Sequence, residues 1–388
     1  MKITDIKTRT FYYTTTRALS DCNFPAGNSA WALTAVFVET DSELTGITIG
    51  NPNSEAYIQA IKPIVIGEDP AGVKGIWQKM NDYLFKRGTR GVAGEAMATI
   101  DTALWDLKAK MNSEPLWKTL GARERKVKLY GSDIGYGLSD DELREYYRGI
   151  AGLKISGGKL KVGLDRERDL RRIGIMKDEL ARVSRNPIIG IDANEYWAPN
   201  EAISRVREIE STVNLSWLEE PARRWDYRGL RKVSSAVNCA VATGENLYDV
   251  SEFTPLFLNE AVDIVEIGWW SGGITGALIV ADTAYALDTP VCMMNSPGSF
   301  LGHLAAAIPN HMAMEYVGAG RTACFSTGTE IEDGMLVLSD RPGLGIEVDM
   351  EKLDELSRNA PRNRFMMPGR RIGAGLYVVA EGEAEGDR

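Results

Sequence analysis

From about Lys128 onward the chain alternates short apolar runs with helical stretches, and a charged residue recurs where several of those runs end. The runs fall at 159–162, 188–191, 215–218, 240–242, 264–267 and 291–294. Strand–helix alternation at this pitch implies parallel βαβ units. Six or more such units over roughly 220 residues fit a βα-barrel, which takes about 250 residues. A doubly wound open sheet competes, but the glycine-rich phosphate loop expected after its first strand is not evident.

The region before the barrel reads differently. Residues 1 to about 60 alternate apolar and polar, as in Trp31-Ala-Leu-Thr-Ala-Val-Phe-Val-Glu-Thr40, and suggest a small antiparallel sheet. Loops are expected at 14–29, which is polar and carries Pro25 and Gly27, and at 50–55. Residues from about 55 to 120 read as helices, with Met97, Ile100, Ala103, Leu104 and Leu107 on one apolar stripe. Strands followed by helices make an α+β domain over 1–127, ahead of a barrel over 128–345. The last nine residues, from Ala380, are acidic and glycine-rich and read as a loose tail.

Composition narrows the function classes. The 388 residues carry 45 Lys+Arg against 54 Asp+Glu, a formal charge of −9 with no basic block. That balance argues against nucleic acid and against an anionic membrane surface as partners. No apolar run approaches the roughly 18 residues of a membrane helix, and the start lacks the apolar core of a secretion signal. Four cysteines, at 22, 239, 292 and 324, have no CxxC spacing, so a reducing cytoplasm is the expected compartment. Only two histidines exist, His303 and His311. On the helix expected over 301–314 they read as structural.

Four charged features follow successive strands: Lys159-Leu-Lys161, Asp192-Ala-Asn194, Glu219-Glu-Pro221 and Gly244-Glu-Asn246. Lys161, Asp192, Glu219 and Glu245 stand 31, 27 and 26 residues apart, each about one strand–helix repeat. Barrel active sites are built at the C-terminal strand ends, so three carboxylates converge. Each motif alone also fits a duller role: an exposed strand face, a turn, a strand exit. Four in order at barrel pitch argue otherwise. Carboxylates so close need a cation. All-oxygen ligation suits a hard divalent ion, Mg²⁺ first and Mn²⁺ second, on Asp192, Glu219 and Glu245. Strand alternation puts Asp192 with Asn194, and Lys159 with Lys161, on shared faces. Two lysines beside each other and a dication should have depressed pKa values, making a neutral amine available as a base.

This combination resembles the enolase superfamily, in its mandelate racemase and muconate-lactonizing branches. Ala103-Leu-Trp-Asp-Leu-Lys108, Pro115-Leu116 and Leu120-Gly121 look like that family's capping-domain helix region. Gly272-Gly273-Ile-Thr falls where the family has Gly-Gly after the sixth barrel strand, and Pro342-Gly-Leu-Gly-Ile-Glu347 looks like its C-terminal return to the cap. The resemblance implies a (β/α)7–8 TIM-type barrel with an α+β cap formed by the N-terminal region and the C-terminal segment 346–388. It also implies Mg²⁺ on Asp192, Glu219 and Glu245, a small-molecule carboxylate substrate, and removal of its α-proton through an enediolate. Lys161 is then the proton-transferring group and Lys159 its helper at the carboxylate. Glu315 resembles a glutamate that hydrogen-bonds the enolate. An oligomer of identical chains is implied by the same kinship.

Two positions depart from the racemase pattern. Counting back from Gly272-Gly273, the sixth-strand Asp or Lys position is Ile267, and the seventh-strand His position is Asn295. The opposite-face base is therefore missing. A single lysine still supports syn elimination of water, and dehydration of a polyhydroxy acid is the expected reaction. The 14–29 segment, with Arg17, Asp21, Asn23 and Asn28, and the barrel-mouth residues Asn194, Asn295 and Ser296 offer hydroxyl partners. The alternatives are a cycloisomerase or epimerase, whose product is isomeric with its substrate, and a barrel that binds a sugar acid without turning it over.

Overall fold

Three antiparallel strands open the chain: β1 (Ile3–Asp21), β2 (Phe24–Thr40) and β3 (Thr45–Gly50). The computed structural model describes residues 1–358. The expected 14–29 loop is instead the far end of the β1–β2 hairpin. Pairing passes through Tyr13–Trp31 and Thr14–Ala30, slips, and resumes at Leu19–Asn28 and Asp21–Phe24. The Thr-rich stretch suits extended backbone, but this end of the hairpin has left the cap core, so its polarity masked the strand. The 50–55 segment holds one tight turn at Pro52–Ser54.

Helices α1 (Glu55–Val65), α2 (Val73–Leu84) and α3 (Val92–Met111) follow. In α3, 16 of 20 residues are buried, so the expected stripe is only part of its buried surface. The reason is position: α3 lies between the cap sheet and a barrel helix. A short α4 (Leu116–Thr119) leads into the barrel.

The barrel runs β4 (Lys126–Ser132), α5 (Asp140–Gly152), β5 (Gly157–Lys161), α6 (Arg166–Leu180), β6 (Ile188–Asp192), α7 (Pro199–Glu210), β7 (Trp217–Glu219) and α8 (Tyr227–Ser234). It continues with β8 (Ala240–Thr243), α9 (Val250–Leu258), β9 (Ile264–Ile267), α10 (Gly273–Ala286), β10 (Val291–Met293), α11 (Gly302–Ala305) and β11 (His311–Tyr316). The eight strands pair in parallel in chain order, and β11 pairs with β4 to close the barrel. The sequence starts its helices plainly: Ser139 and Asp249 each form a reciprocal cap with a glutamate three residues on. The helix expected over 301–314 is corrected to the four-residue α11 and the closing strand β11. Both histidines lie outside any long helix.

After β11 come β12 (Phe325–Ser326), β13 (Glu330–Glu332), β14 (Met335–Val337), β15 (Glu347–Val348) and α12 (Met350–Arg358), which packs on β1. The tail expected from Ala380 lies outside the described residues. Asp106 of α3 ties cap and return together: its carboxylate accepts from the Ile47 and Leu344 amides, at 2.7 and 2.6 Å. Gly273, at φ 70°, permits a close approach of cap and barrel, since a Cβ there would stand 2.6 Å from Asp101 Oδ2. Asp101 in turn accepts from the Thr275 amide and hydroxyl at 2.8 and 2.7 Å. Among the described residues no helix is long and apolar enough to cross a membrane.

Candidate active site

Register brings the charged strand ends together. Lys161 pairs with Asp192 across β5–β6, and Asp192 with Glu219 across β6–β7. Neighbouring strands lie about 4.8 Å apart, so side chains pointing inward at these ends meet. Below them Tyr130, Trp217, Ala242, Ile264, Cys292 and Ala313 fill the barrel interior. That apolar plug keeps the charged layer at the mouth.

Oxygens of Asp192, Glu219 and Glu245 all lie within 4.8 Å of one another. Around an octahedral ion with bonds of about 2.1 Å, oxygens stand about 3 to 4.2 Å apart, so small side-chain rotations suffice. The donor set is all oxygen, and cationic nitrogens already sit among it. Lys159 Nζ contacts Glu219, lies 2.9 Å from Glu315 Oε1 and 3.4 Å from Asp192 Oδ2, and Lys161 Nζ contacts Asp192. Lys159, Asp192 and Glu219 are fully buried. These carboxylates therefore fit a hard divalent cation.

The lysine pKa values run opposite to the sequence expectation. Burial opposes their charge, yet Glu219 and Glu315 around Lys159, and Asp192 beside Lys161, outweigh it and hold both ammonium groups above their ordinary value. The expectation assumed a dication, whereas here the lysines are themselves the counter-charge. Asp192 is held low despite burial by Lys161 and Lys159. Burial pushes Glu245 up to about 7. Glu315 is also buried, but Lys159 and Lys161 bring it down to about 2.

The other predicted residues rim this cluster. Asn194, at φ 42°, donates its amide to Asp192 Oδ1 at 2.8 Å, and its carbonyl accepts from Asn23 of the hairpin at 2.9 Å. Asn295, just past β10, donates its amide to Glu315 Oε2 at 3.1 Å and its side-chain amide to the same carboxylate. Arg17 donates to the Val317 carbonyl at 3.1 Å and covers the Tyr146 ring, while its buried Nη1 lacks a hydrogen-bond partner. Thus Lys159, Lys161, Asp192, Glu219, Glu245, Glu315 and Asn295 form one cluster, with Asn194 and Arg17 at its edge. Ile267 is buried in the apolar core.

Several polar residues here escaped sequence reasoning. Glu266 on β9 is fully buried, its pKa raised by burial and by Glu219. The apolar run that hides it, Ile264-Val-Glu-Ile267, offered only the oddity of a charge in a strand. Asp133, just past β4, accepts from the Lys161 amide at 3.4 Å. Arg321 donates to Asn295 Oδ1 from the loop after β11. A cavity of about 510 Å³ opens beside Asn295 and Glu315, with Ser296, Ser299, Thr327 and Arg321 among its walls.

Comparisons with known proteins bear on the family and the fold. Residues 29–121 match the mandelate racemase / muconate lactonizing enzyme N-terminal domain, and 140–352 match the enolase C-terminal domain-like family. The chain is 30% identical to an arabinonate dehydratase of Saccharolobus solfataricus over 299 residues, covering 74% of this chain and 79% of that one. It is 32% identical to the L-talarate/galactarate dehydratase of Salmonella typhimurium over 303 residues, 76% of this chain and 74% of the relative. The crystal structure of that enzyme with Mg and L-lyxarohydroxamate superposes with a TM-score of 0.82 at 27% identity, over 90% of this chain and 92% of the other. A 3,6-anhydro-alpha-L-galactonate cycloisomerase of Streptomyces coelicolor is 29% identical over 76% of this chain and 81% of its own.

Proposed function

The chain belongs to the mandelate racemase / muconate lactonizing enzyme family, with its enolase-like barrel, and from that premise we propose that it is a magnesium-dependent lyase that removes the α-proton of a polyhydroxy carboxylic acid and expels water. One observation carries the reading: two buried lysines share a barrel mouth with three carboxylates whose oxygens lie within 4.8 Å of one another. Asp192, Glu219 and Glu245 would hold the ion. When bound, it supplies positive charge that stabilises the enediolate form of the substrate carboxylate and loosens the lysines' hold on their protons.

The protein's own groups do the rest. Lys161 takes the α-proton and returns it to the departing hydroxyl on the same face. Lys159, held by Glu219 and Glu315, stays an ammonium and neutralises the substrate carboxylate. Glu315 and Asn295 orient that lysine and the substrate oxygen nearest it. Asn194 and Arg17 meet hydroxyls at the rim, where the hairpin closes over the mouth. With Ile267 in the apolar core and Asn295 unable to titrate, an opposite-face base is missing from both family positions, which favours a one-base elimination over racemisation.

The cycloisomerase named among the relatives supports a second reading, since the same single lysine could give and take the proton while a ring oxygen leaves. A role in carbohydrate catabolism is supported by kinship to sugar-acid enzymes. A cytoplasmic setting is supported by four free, buried cysteines. The test is a panel of aldonic and aldaric acids incubated with the Mg²⁺-loaded enzyme and read by mass spectrometry. A product one water lighter and carrying a new ketone is expected. An isomeric product would transfer the reading to cycloisomerisation, and substrate binding without any product would leave a non-catalytic barrel.

A further inference from the structure

Past the three ligand-bearing strands the barrel's own ladder continues for only a few bonds, from the Ala193 amide to the Glu219 carbonyl at 3.1 Å and from the Glu220 amide to the Ala242 carbonyl at 2.9 Å. Past β6 the backbone turns through Asn194 and Glu195, at φ 42° and 57°, and past β7 through Glu220 at φ 44°. Non-glycine residues persist in that region only where surrounding contacts over-determine them. Here two arginines hold Glu195: Arg223 Nη1 donates to its Oε2 at 3.4 Å, and Arg224 makes the fuller set of contacts. Arg224 Nε and Nη2 donate to the two carboxylate oxygens of Glu195 at 2.6 and 3.2 Å, and the Arg224 amide adds a third bond at 3.1 Å. Its Nη1 donates to the Asn246 carbonyl at 2.7 Å.

The network then returns to the ligands. The Glu195 amide donates to the Glu220 carbonyl at 2.9 Å. Asn246 Nδ2 donates to Glu220 Oε1 at 2.7 Å and to Glu245 Oε1 at 3.3 Å. Glu195 lies three residues beyond Asp192, Glu220 next to Glu219, and Asn246 next to Glu245. A single side chain therefore bridges the ends of β6, β7 and β8. Glu195 is 2% exposed, so its charge is committed to this role.

We propose that Arg224 is a positioning residue that sets the separations of the three metal-binding carboxylates and thereby the affinity of the site for a divalent cation. The proposal rests on the reading of Asp192, Glu219 and Glu245 as ligands. It requires an arginine because only a planar fork can hold both Glu195 oxygens and still reach Asn246. Partners outside the ligand set commonly change metal affinity ten- to a hundredfold when removed.

The experiment measures Mn²⁺ affinity of the full-length protein, free of substrate, by the electron paramagnetic resonance of unbound Mn²⁺. Arg224→Met should weaken binding about tenfold or more, with Arg224→Lys in between. Arg231→Met, which breaks an exposed pair with Glu260, should bind as wild type. If Arg224→Met does not fold, Glu195→Gln carries the test and should also weaken binding. Arg224→Met or its substitute binding within twofold of wild type overturns the proposal, as does an equal loss in Arg231→Met. Glu219→Gln separates the two claims. If it leaves Mn²⁺ binding unchanged, the ligand reading falls and the clamp with it, whereas Glu219-dependent binding that ignores Arg224 defeats the clamp alone.

Discussion

His303 shows how a residue chosen against as a catalyst still carries a measurable charge effect. Its Nδ1 accepts the Trp117 amide at 3.1 Å, joining the barrel to the segment that follows the cap. Burial pushes its pKa down to about 4, so the folded protein holds it neutral. The unfolded chain takes up that proton below its ordinary pKa of about 6.5. The stabilisation is therefore complete above about 6.5 and is lost as pH falls toward 4, amounting to about 3 kcal/mol over that window. In urea unfolding, the stability margin of wild type over His303→Gln should shrink by about 2 kcal/mol between pH 7.5 and 5. A constant margin would contradict a neutral buried His303. At this scale the sequence was most legible where charge followed an apolar run: Asp192, Glu219 and Glu245 each announce a strand end. Arg224 and Glu266 were not legible. One acts through a loop contact with Glu195 that no spacing encodes, and the other sits inside a run whose apolar neighbours dominate the pattern.

Elements were legible in proportion to the regularity of their burial. Barrel strands buried on both faces read as short apolar runs, and six of the eight were found to within a residue or two. The closing strand β11 was not, because the apolar character of His311-Met-Ala-Met-Glu-Tyr316 prolongs the stretch before it, although Pro309-Asn310 between the two marks the break. The hairpin end was missed for the opposite reason, since a strand that leaves the core keeps its backbone pairing but loses its apolar alternation. Gly272-Gly273 was read by likeness, and the structure supplies the physical cause in the tight approach of α3 to α10. Gly273→Ala would drive a Cβ against Asp101 and Ala98 at φ 70°, costing roughly 1–3 kcal/mol and lowering the melting temperature by several degrees. Gly174→Ala, in α6 with nothing within 4 Å of its added Cβ, should raise stability by up to about 1 kcal/mol. If both substitutions lowered melting equally, close approach would not explain Gly273.

Across the whole molecule, the cap serves the barrel in two ways. Asp101, Trp105 and Asp106 fix α3 against α10 and the return segment, and the β1–β2 hairpin reaches from that anchored cap to Ala193 and Asn194 at the mouth. The barrel mouth holds two buried lysines in contact with the clustered carboxylates, while the hairpin and the loop after β11 border it. Which acid fits depends on those loop contacts, and they lay beyond a reading of spacing and periodicity. The proposed chemistry turns on Lys161 moving an α-proton at a cation-loaded carboxylate cluster. Proton NMR of a turned-over or tightly bound sugar acid in D₂O, with Mg²⁺, tests it most directly in wild type, Lys161→Ala and Glu219→Gln. Loss of the α-proton signal is expected with wild type only, by a factor of about 10² or more over Lys161→Ala, while Lys161→Ala still binds Mg²⁺. Exchange that persists in Lys161→Ala at the wild-type rate would contradict it.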